Sequence, residues 1–282
     1  MDSAKEVSTP LSPYDSLVLN DGSPPTDASR FRQIIGGGLQ HLNLTRPDIS
    51  FAVNKLSQFM HQPSESHWQA LKRLLRYFKG TLYFGLHLSR CSSHHLYAFS
   101  DADWAGNRDD CKSTTVYVVY LGGNLISWSS CKQCFVARSS TEAEYHTITT
   151  TTAEIVGIQF LLRELGISLP APPLISLDNI GATFYCANPV LHSRMKYIDI
   201  DFQFVQDRVN SGLLQVSHVS TVDQLADALT KPLPRLHFHL LRSKIGVSDG
   251  TTILQGLKRE PSSKEITSSS TQSSAIFHQS QP

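Results

Sequence analysis

The order of hydrophobic periods across residues 82–230 limits the possible folds of this chain more than any other feature. Residues 82–88 and 96–100 are short β-rich or apolar runs. Residues 114–121 form a Val/Tyr run that Gly122-Gly123 joins to 124–129 as a hairpin would. Residues 139–165 then carry the longest helical pattern, with Ile148, Ala153, Ile155, Val156, Ile158, Phe160, Leu161 and Leu165 for a buried face and Gly166 as its stop. A strand at 174–177, helical stretches at 182–187 and 198–209, a strand at 214–219 and a helix from about Asp223 complete the series. The order βββ, α, β, α, α, β, α predicts an α/β fold, a mixed sheet with helices packed on it.

The flanks read differently. Residues 1–28 are rich in Ser, Pro and Asp without an apolar period, and are expected to be a disordered linker. Residues 31–59 parse as two helices broken at Thr45-Arg46-Pro47, where the proline ring and the restriction before it set a boundary. Residues 64–78 are a clearer helix: Trp68, Leu71, Leu74, Leu75 and Phe78 fall at three- and four-residue steps, Pro63 and Ser64 start it and Gly80 stops it. The expected organisation is a linker (1–28), a small helical region (29–81), the sheet domain (82–234) and a mostly disordered tail (235–282), Ser/Thr/Gln-rich beyond Lys244.

Composition narrows the class. The 282 residues include 40% hydrophobic side chains and no stretch approaching the ~18–20 apolar residues of a membrane span. The first thirty residues lack a signal-peptide pattern, and five cysteines without a regular framework fit a reducing compartment. The net charge of +1 hides a division: from Arg30 to Arg90 nine basic residues face two acids, leaving −6 for the remainder. A basic arm beside a carboxylate-rich site fits contact with phosphates; a solvated helix face is the plainer reading of charge alone.

Four acids stand where strands end or helices begin. Asp101 follows the run 96–100, Glu144 lies in the first turns of the long helical pattern, Asp178 ends the run 174–177, and Asp227 lies on the last helix. Singly, each has a structural explanation: a turn acid at Asp101 or Asp103, a capping box pairing Thr141 with Glu144, a cap at Asp178-Asn179, an exposed helix acid at Asp227. Together at the edges of one sheet they would repel one another without cations. Divalent metal resolves the conflict: oxygen-only ligands favour Mg²⁺ or Mn²⁺, and two ions ~3.5–4 Å apart can activate water and stabilise the leaving oxygen in phosphodiester cleavage.

Several long strings occur in one order. They are Thr45-Arg46-Pro47-Asp48-Ile49, Ser57-Gln58-Phe59-Met60, Ser100-Asp101-Ala102-Asp103-Trp104-Ala105-Gly106, Ser139-Ser140-Thr141-Glu142-Ala143-Glu144-Tyr145, Asp178-Asn179, Asn188-Pro189-Val190 and Ala226-Asp227-Ala228-Leu229-Thr230-Lys231. Over about residues 31–234 the chain resembles the C-terminal end of copia-type retrotransposon Pol polyproteins: the last part of the reverse transcriptase, its thumb or connection, followed by ribonuclease H. The resemblance implies a ribonuclease H-like five-stranded sheet whose first three strands are antiparallel. It assigns Asp101, Glu144, Asp178 and Asp227 as catalytic, metal-binding acids holding two Mg²⁺, with Mn²⁺ as a substitute; Asp103 and Glu142 are neighbours of the same type. It also implies cleavage of RNA in RNA/DNA hybrids, leaving 5′-phosphate and 3′-hydroxyl ends, with 2′-hydroxyl contacts and hybrid shape distinguishing the strands. The upstream polymerase domain is the implied protein partner, with no membrane, in an intracellular setting such as a cytoplasmic virus-like particle or the nucleus.

Nucleic-acid contacts are expected from Lys72, Arg73, Arg76 and Lys79, and from His192, Arg194 and Lys196 within the family's basic stretch. Departures from the family are Tyr197 and Gln203 in place of His, Gln206 in place of Arg and Val116 in place of Gly. Cys131-Lys132-Gln133-Cys134 has no second pair or nearby His and reads as substitution rather than a zinc site. Gly36-Gly37-Gly38 lacks the Lys and Ser/Thr of a phosphate loop, so helix packing or a bend is expected there, and His218 reads as structural. No Tyr-x-Asp-Asp motif is present, so polymerisation is not expected of this chain. Two rivals stand beside the nuclease: an inactive fragment that only binds nucleic acid, and an integrase-like transposase, whose acids would run Asp, Asp, Glu rather than Asp, Glu, Asp, Asp.

Overall fold

Alternation of buried and half-buried side chains builds the sheet. In the computed structural model, which describes residues 4–90, 93–187 and 199–251, strands β1 (Phe84–Leu86), β2 (Leu96–Asp103), β3 (Thr114–Leu121), β4 (Asn124–Lys132), β5 (Leu174–Leu177), β6 (Gln215–His218) and β7 (Val247–Asp249) form two sheets. The larger has the order β4-β3-β2-β5-β6, with β2, β3 and β4 antiparallel and β5 and β6 parallel to β2. This is the ribonuclease H-like mixed five-stranded sheet that the resemblance implies.

The helices are α1 (Ala28–Ile34), α2 (Gln40–Leu42), α3 (Ser50–Ser57), α4 (Glu65–Gly80), α5 (Ser140–Glu164), α6 (Ile180–Ala187), α7 (Asp199–Asn210), α8 (Asp227–Thr230) and α9 (Arg235–Lys244). Helix α4 begins where expected: the Ser64 backbone N–H donates to His67 Nδ1 at 3.0 Å, closing a capping box. Between α1 and α2, the Gly36-Gly37-Gly38 stretch forms one π-helical turn, Ile35–Leu39. Helix α5 crosses one face of the sheet, where Tyr145, Ile148 and Ile155 pack with Ala98, Val119, Ile175 and Leu177. The other core cluster joins α1, α3 and α4 to Val116, Val118 and Tyr120 of β3 and to α8 and α9.

Three boundaries differ from the sequence expectation. Residues 4–27 contain no helix or strand, yet they are not a detached linker: Leu11 and Leu17 are buried in the main core, and Glu65 N–H donates to the Pro24 carbonyl at 2.8 Å. The helical region and the sheet domain share that core, and the described residues up to Gly250 form one compact unit. Order also continues past 234. Phe238, Leu241 and Ile245 recur at three- and four-residue steps on α9 and beyond it, and β7 pairs with β1, Leu86 opposite Val247. That pairing also takes residues 82–88 out of the main sheet.

One buried ion pair ties the helical region together. Arg46 grips Asp48 with two hydrogen bonds, Nε to Oδ1 at 2.8 Å and Nη2 to Oδ2 at 2.7 Å, and Nη1 donates to the Thr81 carbonyl at 2.9 Å. Tyr77 OH donates to Asp48 Oδ2 at 2.6 Å and accepts from Arg242 Nη1 at 3.2 Å. The proline after Arg46 thus sits where the chain must turn to bring guanidinium and carboxylate together within two residues.

Candidate metal centre

Parallel pairing brings two of the acids side by side. Phe99 of β2 lies opposite Ser176 of β5, and two residues farther along each chain come Asp101 and Asp178, on the same side of the pleat. Asp101 is within β2, which runs on to Asp103 rather than ending at Ser100. Glu144 reaches the same point from the first turns of α5, its Oε1 accepting the Ala102 N–H at 3.3 Å. One carboxylate oxygen from each of Asp101, Glu144 and Asp178 lies within 4.8 Å of the other two. Asp227, the first residue of α8, is buried beside them: its charge acts directly on Asp101, and Lys231 Nζ lies 2.8 Å from its Oδ1.

For Glu144 and Asp178 a neighbour performs the structural task instead. Ser139 caps α5 by accepting the Glu142 N–H at 3.2 Å, while Glu142 Oε2 takes the Arg138 N–H at 2.8 Å. Glu144 is therefore not the capping acid. Asn179 Oδ1 accepts the Ala182 N–H at 3.0 Å and so caps α6 in place of Asp178. Asp103 packs against Gly106 so closely that a Cβ at 106 would collide with its carboxylate, so glycine there is a matter of space. Asp103, Glu142 and Asp227 all lie outside the group of three converging oxygens; Asp227 is tied to it through its charge on Asp101.

Burial makes this cluster electrostatically unfavourable by itself. Burial, then the Asp227 charge, raises Asp101 to about 7; burial, then Asp101, raises Glu144 to about 9. Burial works to lower Lys231, but Asp227, Asp101 and Asp178 outweigh it and raise that ammonium. One lysine against four carboxyls leaves the site negative. Glu144 Oε2 is buried without a hydrogen-bond partner among the described residues, while Asp227 Oδ1 is met by the Lys231 ammonium at 2.8 Å. An all-oxygen donor set with such an unmet acceptor fits a hard divalent cation.

The raised acids set a pH dependence. Their folded-state values exceed the ordinary 3.8 and 4.5, so their contribution to stability is intact below about pH 4 and is lost as pH rises through about 7 for Asp101 and about 9 for Glu144. In a chelator, Glu144→Gln is expected to raise the melting temperature by an increment that grows between pH 6 and 9. Melting curves across that range check it, and an increment independent of pH would contradict it.

The other expected contacts are differently placed. On α4, Lys72 pairs with Glu65 at 3.6 Å, Arg73 Nη2 donates to Thr9 Oγ1 at 2.8 Å and Lys79 Nζ donates to the Ala4 carbonyl at 3.1 Å; Arg76 is half-buried. The chain's own first residues thus occupy part of this basic face. His192, Arg194 and Lys196 lie outside the described residues. His218, read from sequence as structural, ends β6 exposed, opposite Leu177. Lys231 was not singled out by the sequence reading, although its four-residue spacing from Asp227 was a legible signal for an ion pair.

Comparison with known proteins adds ancestry. The chain is 56% identical over 248 residues to the "Retrovirus-related Pol polyprotein from transposon RE1" of Arabidopsis thaliana, covering 88% of this chain. It is 54% identical over 244 residues to the corresponding polyprotein from transposon RE2 of the same plant, covering 86%. It spans only 17% of the length of either relative. No protein-family model matches the chain. Among solved structures, LC11-RNase H1 from compost aligns with 48% of this chain and 92% of its own at 13% identity and a TM-score of 0.38, too slight a likeness to support an argument.

Proposed function

We propose that this chain, which belongs to the copia-type retrotransposon Pol polyproteins, carries a ribonuclease H that cuts the RNA strand of RNA/DNA hybrids during reverse transcription. The observation that supports this reading best is the convergence of three carboxylate oxygens within 4.8 Å of one another at adjoining strand and helix ends. Asp101, Glu144, Asp178 and Asp227 would hold two Mg²⁺, or Mn²⁺ in their place. Bound there, the ions would supply an activated water and stabilise the leaving oxygen of the phosphodiester.

The chain's own residues set the conditions for that chemistry. Asp101 and Glu144 resist ionising together, so the full charge of the site develops with cation binding. Lys231 offsets part of that charge from the Asp227 side. Discrimination of RNA from DNA falls to 2′-hydroxyl contacts and hybrid shape, so little sequence preference is expected. The region 29–81 is read as the end of the polymerase thumb or connection, and the upstream polymerase domain as the functional partner. Among the described residues no helix is long and apolar enough to cross a membrane.

The purified chain should cut a labelled RNA/DNA hybrid in Mg²⁺, yield 5′-phosphate ends, and stop in a chelator. Duplex DNA should survive. Retention of the hybrid without cutting, with Mg²⁺ saturating, would favour the binding-only reading instead. The bonds from Arg73 and Lys79 to the chain's first residues count against α4 as the contact surface which that reading needs.

A further inference from the structure

We propose that Gln224 is a positioning residue for the acidic site, its single side-chain amide fixing the separation of the backbone segments that carry Asp101 and Asp227. Its side chain is fully buried, at 0% exposure. Nε2 donates to the Ser100 carbonyl at 3.0 Å, on the residue immediately before Asp101. Oε1 accepts the Ala226 N–H at 3.3 Å, on the residue immediately before Asp227. One planar group thus spans two acids 126 positions apart in sequence, touching neither carboxylate.

The need for such a brace follows from the local structure. Helix α8 is a single turn of four residues, too short to hold its own place. Ser130 Oγ donates to the Leu229 carbonyl at 2.9 Å and anchors the turn to β4, on the far side of β3 from β2. On β2, the ladder with β3 continues to Asp103, but on the other edge the register with β5 runs only from Tyr97 to Phe99, so Gln224 takes hold on that edge one residue beyond the ladder. Replacing it would let Asp227 drift from the other three acids while the sheet stays formed.

The inference rests on the metal-holding reading of the acids, and the experiment separates the two. Mn²⁺ binding to the full chain is measured by calorimetry, beside melting temperatures in chelator, for the unaltered protein, Asp101→Asn, Gln224→Leu and Gln224→Asn. The leucine removes both bonds; the asparagine keeps the amide but is one methylene too short to span both partners. Both Gln224 variants are expected to bind Mn²⁺ about 10–100-fold more weakly while still unfolding cooperatively. An amide important only for packing would lower the melting temperature and leave Mn²⁺ affinity unchanged, which would overturn the proposal. So would loss of cooperative unfolding in both variants. If the unaltered chain binds no Mn²⁺, or Asp101→Asn binds it equally well, the metal reading itself fails.

Discussion

Asp101→Asn is expected to reduce Mg²⁺-dependent hybrid cleavage by more than ~100-fold while raising the melting temperature of the metal-free protein above neutral pH. Both halves come from the same geometry. Asp101 contributes one of the converging oxygens, so its loss removes a charge that the cations need. The same carboxylate is buried and pressed by Asp227 and Asp178, which holds it near 7, and an amide of equal size relieves that repulsion. At pH 5 the folded protein already carries Asp101 protonated, and the stability gain should shrink. Activity and melting curves measured at pH 5 and 8 check the pair; unchanged turnover would show that Asp101 is not a ligand. A fall in melting temperature at pH 8 would contradict the electrostatic account.

Arg46→Ala should destabilise the protein by about 3–5 kcal/mol, the range for removing one partner of a buried ion pair. The substitution strips Asp48 of its bidentate partner in a place where the two side chains are 6% and 0% exposed. Tyr77 OH and its bond from Arg242 remain, but a neutral hydroxyl does not offset a buried carboxylate. Two bonds from the guanidinium to Thr81, at 2.9 and 3.0 Å, are lost as well, loosening the end of α4. Denaturant unfolding measures the loss. A loss below ~1 kcal/mol would place the pair with surface ion pairs.

What the sequence made legible was local. The Val/Tyr run became β3 and the apolar run at 174–177 became β5 without change of boundary, and α4 and α5 begin within a residue of where their caps are written. The acids were legible as a set, because each lies at or near the end of an element, Asp101 two residues short of the end of β2. What separated Asp101 from Asp103 and Glu144 from Glu142 was three-dimensional: the Asp103 carboxylate lies over Gly106, outside the three converging oxygens, and Glu142 accepts the Arg138 amide. The pairing of β1 with β7 joins residues about 160 positions apart, so the β-rich run at 82–88 was legible as a strand while its partner was not. Residues 4–27 lack any period because they pack as an irregular strand-free segment, through single side chains such as Leu11 and Leu17. For the same reason α4 read as an open basic face, when Arg73 and Lys79 are hydrogen-bonded to that segment.

Crystals soaked in Mn²⁺ and measured near the manganese absorption edge would locate bound cations by their anomalous scattering, without reference to any assay. Two peaks within ligating distance of the Asp101, Glu144, Asp178 and Asp227 oxygens are predicted, and none there in the Asp101→Asn, Asp178→Asn double variant. A map with the four carboxylates ordered and no anomalous density among them would contradict the account.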